Sequence, residues 1–166
     1  MQMIQLPVLR PVPIATRGRS WWTALLIWWT TQRQWEVVED YRYTFASGQT
    51  VIIPKGFIFN GATVPRPLRW LISPTGVFLI PSHLHDFAYT YNYQWVQGKE
   101  GPEVFPETGP KKDHRDIWDT QFHEAGVEVN GMGWLCKSVY WTLRLFGGVA
   151  WRASRRETPP AVKPSA

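Results

Sequence analysis

Pro81-Ser82-His83-Leu84-His85-Asp86-Phe87-Ala88-Tyr89 is the stretch on which the reading of this chain turns. It sets an imidazole, a carboxylate and a phenol in the pattern H-D-x-x-Y. On a helix, His85 and Tyr89 (i, i+4) and Asp86 and Tyr89 (i, i+3) share neighbouring faces. Pro81 suits the first turn of such a helix, where its missing N–H is not needed. The helix is expected to run to about Tyr93. A His can serve as a base while an adjacent Asp serves as a metal ligand or orienter. His-Asp dipeptides are common, so the meaning of this one depends on what the rest of the chain supplies.

Upstream, Tyr41, Tyr43 and Phe45 alternate with Arg42 and Thr44, a period-two strand signal within residues 33–46. Ser47-Gly48 makes a turn and Gln49 to Ile53 returns, which predicts a hairpin. Asn60-Gly61 is a turn pair, since both residues tolerate positive φ, and Pro65 and Pro67 keep the next segment extended. Such a loop can turn backbone carbonyls and a side-chain oxygen outward, as a hard cation requires, although a plain structural turn has the same signature. Leu68 to Ile72 is a short apolar piece before a Ser73-Pro74-Thr75-Gly76 turn. Residues 1–20 are Pro-rich and basic and are expected to form a flexible arm. The run Trp21 to Trp29 is apolar but much shorter than a bilayer span. It reads as a buried strand in preference to an interfacial anchor, because aromatic and β-branched residues come after it.

Downstream, residues 97–113 are rich in Gly, Pro, Glu and Lys and are expected to be a surface loop. Arg115 to Ala125 reads as a second helix with Gly126 as its stop. Trp134 to Phe146 reads as a third, with an apolar stripe of Leu135, Val139, Thr142, Leu143 and Phe146, ended by Gly147-Gly148. The fold class expected is α+β: an N-terminal antiparallel hairpin or small sheet, then a core of three helices. One globular domain would span residues 21–152, and residues 153–166 would be a disordered, basic, Pro-rich tail.

Composition agrees with a single domain, since the 166 residues are 44% hydrophobic and 19% charged. Eleven Trp imply a wide packed core, a lipid-facing surface, or both. The net charge of +5 favours anionic surfaces, but four of the basic residues (Arg152, Arg155, Arg156 and Lys163) lie in the final stretch and read as a solvated tail. No specific nucleic-acid recognition is expected. Cys136 is the one cysteine, so no internal disulfide can form, and its apolar surroundings mark it as core filler. No signal peptide is evident in Met1 to Pro13 and no transmembrane helix is expected. Zinc is not expected either: His83 and His85 diverge on a helix and no Cys supports them, while His114 and His123 read as solvated. A phosphohydrolase H…H-D…D arrangement would want an earlier His helix, and residues 1–82 offer none.

If the helices pack antiparallel, Asp119 is the best partner for His85, because the intervening loop lets the chain reverse. Such a carboxylate would hold the imidazole in one tautomer. Asp86 and the Asn60-Gly61 loop could then bind one cation beside it. A base, an orienter and a cation together describe metal-assisted ester hydrolysis.

Residues 54–65 (PKGFIFNGATVP), 81–89 and 115–122 (RDIWDTQF), with RLFGG at 144–148, resemble a small phage and prophage domain family of unknown function. Its pattern is roughly P-x-G-F-x-x-D-G-A-S-x-P-R, then H-D-x-x-Y, then R-x-x-A-D-x-x-F. The resemblance covers about residues 33–150. It implies a phage-encoded protein, placed in the host cytoplasm or the virion. A more distant likeness is to bacterial phospholipase A2 enzymes, which carry D-G-C-S, a Pro/Gly turn, H-D-F-G-Y and a second Asp followed by x-x-F. That likeness implies a three-helix phospholipase A2-like core, with His85 as the base, Asp119 as its orienter and Tyr89 as a buttress. It further implies a calcium site of Asp86, Asn60 and the Gly61 carbonyl. Phospholipid or a membrane surface would be the partner.

This sequence departs from the enzyme pattern at Asn60, which replaces an Asp, at Ala88, which replaces a Gly, and in lacking the stapling cysteines. Calcium affinity depends on ligand charge, so a neutral amide should weaken the site. The alternative is a non-catalytic phage structural, assembly or binding module that keeps the scaffold and contacts a phage or host protein.

Overall fold

The computed structural model describes residues 5–13, 18–30, 34–59, 78–106, 113–154 and 160–165. Among them the order is β1 (Leu9–Pro11), α1 (Trp21–Thr30), β2 (Trp35–Val37), β3 (Tyr41–Thr44), β4 (Thr50–Ile53), β5 (Ile58–Phe59), α2 (Leu79–Tyr91), β6 (Gln94–Gln97), β7 (Pro102–Phe105), α3 (Arg115–Asn130) and α4 (Gly133–Ser154). The class is α+β, as expected. The layout differs: the strands are spread through the chain, in two antiparallel sheets of order β1-β2-β5 and β3-β4-β6-β7, and there are four helices among the described residues.

The expected β3–β4 hairpin forms, with Tyr41 opposite Ile53 and Tyr43 opposite Val51. Tyr41, Tyr43 and Phe45 are buried while Arg42 and Thr44 face out. These rings and β4 join Phe57, Leu84, Phe87 and Tyr91 in the largest core cluster, which glues α2 to the sheets. Smaller clusters lie among the helices, around Trp118 and Trp151 and around Phe122 and Cys136. The core position of Cys136 matches its expected role.

The Trp-rich run is a helix, not a strand. A helix pairs its own N–H and C=O groups, whereas a strand needs an edge to join. Ala24 N–H bonds the Ser20 carbonyl at 2.8 Å, and Trp21 and Trp22 stack with ring centroids 3.6 Å apart, which strand neighbours on opposite faces could not do. The segment 97–113, expected to be a loop, contains β7. Val104 sits opposite Trp95 and Glu103 opposite Val96, and Pro102 occupies the start of an edge strand, where a missing N–H is tolerated.

α2 ends close to the expected Tyr93, whereas α3 and α4 run past the glycines expected to stop them. α2 stops at Tyr91, where Asn92 takes φ 60° and returns its N–H to the Ala88 carbonyl. α3 passes through Gly126 and stops at Gly131 (φ 66°). Gly126 is a contact residue: a Cβ there would stand 3.0 Å from Cys136 Sγ. α4 passes through Gly147 and Gly148 to Ser154, and Phe146, assigned to its apolar stripe, is 72% exposed.

Parts of both terminal segments are ordered against the domain. Leu9–Pro11 of the expected arm pairs with β2, and Arg10 bonds Glu36 at 2.7 Å. Residues 160–165 of the expected tail hydrogen-bond to Tyr91, Trp95 and Asp40.

Candidate functional site

α2 projects His85 and Tyr89 toward α3, which carries Asp119 and, one turn earlier, Arg115; α4 adds Arg144. The Asp119 side chain is fully buried, and its two oxygens divide the work. Oδ1 accepts from Tyr89 Oη at 2.6 Å and lies 3.0 Å from His85 Nε2. Oδ2 lies 3.5 Å from both Arg115 Nε and Arg144 Nη1. Arg115 Nη2 also donates to the Arg144 carbonyl, which ties α3 to α4 beside the carboxylate.

Burial alone would raise the pKa of Asp119, but the hydrogen bonds from His85 and Tyr89 and the neighbouring charges reverse this and hold it below the ordinary carboxylate value. His85 moves down from its ordinary value, because burial disfavours the cation more than Asp119 favours it. An ionised carboxylate only accepts, so His85 Nε2 carries the hydrogen and Nδ1 carries the lone pair. Nδ1 has no hydrogen-bond partner among the described residues. Burial pushes the Tyr89 hydroxyl far up, so it stays a donor.

Two glycines let α4 approach this centre. A Cβ on Gly147 would stand 3.0 Å from Tyr89 Oη, and one on Gly148 would stand 2.8 Å from Arg115 Nη1. Trp151 packs edge-on to Tyr89 at 5.0 Å and completes the wall.

His85, Tyr89 and Asp119 are thus brought together. Asp86 is not hydrogen-bonded into that cluster; it is half-buried, its carboxylate has no hydrogen bond or ion pair among the described residues, and burial holds its pKa well above the ordinary value. Asn60 and Gly61 lie outside the described residues, as do Leu68 to Ile72 and the Ser73–Gly76 turn. Among the described residues no three His, Cys, Asp or Glu side chains gather as a metal-binding group. His83 sits in the aromatic core, stacked on Phe59 at 4.5 Å. His114, expected to be solvated, is buried at the start of α3 against Trp118. His123 is partly exposed, edge-on to Tyr140.

Arg115 and Arg144 escaped the sequence reading. Arg115 was open to it, since i, i+4 to Asp119 is one helical turn. Arg144 was not, because nothing local says that α4 lies across α3.

These features define an α+β domain in which a buried histidine–aspartate pair joins two helices. The chain belongs to the family described as Protein of unknown function (DUF1353), whose model matches residues 35–141. That match includes His85, Tyr89, Arg115 and Asp119, while Arg144, Gly147 and Gly148 lie beyond it. Comparisons with curated proteins and with solved structures gave no match.

Proposed function

We propose that His85 and Asp119 act as base and orienter in a phospholipase A2-like ester hydrolase carried by a phage. The observation that supports this most is the 3.0 Å contact of His85 Nε2 with Asp119 Oδ1, which leaves the basic nitrogen Nδ1 without a partner among the described residues. In the reaction Nδ1 takes a proton from water as the water oxygen bonds to the ester carbonyl carbon. The imidazolium then gives that proton to the departing alcohol oxygen as the ester C–O bond breaks. Asp119 stabilises the imidazolium, and Tyr89 holds the carboxylate in register.

Asp86 suits a cation, being a half-buried carboxylate with no counter-ion among the described residues. It would hold calcium with Asn60 and the Gly61 carbonyl. Bound there, calcium would supply Lewis-acid polarisation of the ester carbonyl. With Asn60 in place of a charged ligand, binding should be weak.

The test is fatty-acid release from phosphatidylglycerol and phosphatidylethanolamine vesicles, with and without calcium. His85→Ala should lower the rate by about a hundredfold or more, and Asn60→Asp should lower the calcium needed. No release from any lipid by the wild-type chain would overturn the reading.

A second reading, a phage assembly or binding module, is favoured by one observation. α4 exposes Trp134, Trp141, Leu145, Phe146 and Val149, and α1 exposes Trp21 and Trp22. α4 carries Lys137, Arg144 and Arg152 and no acidic residue, which suits an anionic lipid surface or a partner protein. Among the described residues no helix is long and apolar enough to cross a membrane. On this reading His85→Ala leaves phage infectivity unchanged, whereas Trp141→Glu with Leu145→Glu lowers it.

A further inference from the structure

We infer that Asp40, Gly56, Tyr91 and Trp95 form a groove for an extended, proline-containing peptide, in which the chain's own residues 160–165 sit as a displaceable occupant. The groove shares no residue with the His85–Asp119 centre. The occupant reads Pro160-Ala161-Val162-Lys163-Pro164-Ser165 and has no helix or strand of its own. Two prolines fix φ, and Lys163, preceding one of them, is steered away from the helical region. Val162 and Pro164 turn toward the domain while Ala161, Lys163 and Ser165 stay more exposed.

The domain reads the main chain of this segment. Tyr91 Oη donates to the Pro160 carbonyl at 3.1 Å, and Trp95 Nε1 donates to the Val162 carbonyl at 3.1 Å. The Ser165 N–H donates to Asp40 Oδ2 at 2.6 Å. The other oxygen of Asp40 accepts the Lys55 N–H at 2.7 Å, which fixes the carboxylate in place. Tyr93 stands between the two aromatic donors, 5.8 Å from Tyr91 and 5.7 Å from Trp95, so the rings form a ladder that sets the donor spacing. A Cβ on Gly56, whose φ of +83° already favours glycine, would lie 3.9 Å from a Val162 methyl. The Val162 side chain therefore rests against bare backbone.

Aromatic N–H and O–H donors aimed at the carbonyls of a chain stiffened by proline are the chemistry of proline-rich peptide recognition. None of these three hydrogen bonds uses a side chain of the occupant, so a partner's segment of the same shape satisfies the same donors. The occupant is largely exposed and belongs to no helix or strand, the kind of element that opens locally with the rest of the fold intact.

The test uses the full chain and a labelled peptide, Pro-Pro-Ala-Val-Lys-Pro-Ser-Ala. Ser165→Pro deletes the N–H given to Asp40 and loosens the resident segment without touching the groove. The Ser165→Pro chain should bind the peptide about fivefold or more tighter than the wild type, because the resident no longer competes as well. Tyr91→Phe combined with Trp95→Phe, which removes both donors and keeps an aromatic ring at each place, should weaken binding by about tenfold or more. Exchange of the Trp95 indole proton, measured by NMR, should be slow in the wild type and faster in Ser165→Pro. No peptide binding by Ser165→Pro, binding indifferent to the loss of both aromatic donors, or a wild-type indole proton that exchanges like a free one would each overturn the proposal.

Discussion

His83 and His85 stand two residues apart on α2, both almost wholly buried, and they live in different chemistries. His83 faces the sheets, stacked among Tyr41, Phe57 and Phe59, and neither ring nitrogen has a hydrogen-bond partner among the described residues. Burial alone pushes its pKa down to about 3. His85 faces α3, where burial acts against the hydrogen bond and charge of Asp119. Burial is common to both residues, so burial does not make the site. A fixed carboxylate does, and it does so by choosing which nitrogen keeps the lone pair.

The largest expected effect comes from removing that carboxylate. Asp119→Ala should strand His85, Tyr89, Arg115 and Arg144 and cost about 3–5 kcal/mol in urea unfolding, the usual penalty for breaking a buried pair. A loss as small as that of an average surface substitution would break the comparison, because it would leave Asp119 no more important to His85 than the aromatic rings are to His83.

The next effect sharpens the other half. His83 has a folded pKa far below its unfolded value, so the unfolded chain binds more protons between about pH 3 and 6.5. Its contribution is therefore full above pH 6.5 and is lost as the pH falls toward 3. Tyr41 is the one titratable group among the rings around it, and burial keeps that hydroxyl neutral. His83→Phe, which keeps a ring in the stack, should retain about 2 kcal/mol that the wild type loses between pH 6.5 and pH 5. Parallel pH profiles for the two proteins would show that His83 does not titrate in this environment.

The smallest effect tests how Asp119 is held. Tyr89→Phe removes the hydrogen bond to Asp119 and keeps the ring against Trp151, and it should cost about 1 kcal/mol. It should also soften Gly147→Ala, since the missing hydroxyl is the atom that the new methyl would meet at 3.0 Å. Equal costs of Gly147→Ala in both backgrounds would remove α4 from any part in positioning Tyr89.

Local patterns made part of this structure legible. The β3–β4 hairpin was readable because alternation reports burial on one face directly. The His85 helix was readable from its periodic spacing, and Asp119 as partner from the reversal between two helices. The Trp21 run was not readable, because an unbroken apolar stretch carries no period. β7 was hidden because its pairing with β6 overrides a Gly- and Pro-rich composition. Gly126, Gly147 and Gly148 look like stops in the sequence, and only the neighbouring helices reveal them as points of close approach.

By itself the sequence determined the class of fold, the hairpin and the presence of a histidine one helical turn from a tyrosine, since each depends on contacts close along the chain. Tertiary structure decided which histidine meets a carboxylate and which is packed among rings. It also placed Arg115 and Arg144 on the far oxygen of Asp119 and seated residues 160–165 on Tyr91 and Trp95. Those choices depend on how whole elements lie across one another. A side chain's chemistry is written in its residue type, but its protonation and its partners are set by the groups that the fold carries to it from elsewhere in the chain.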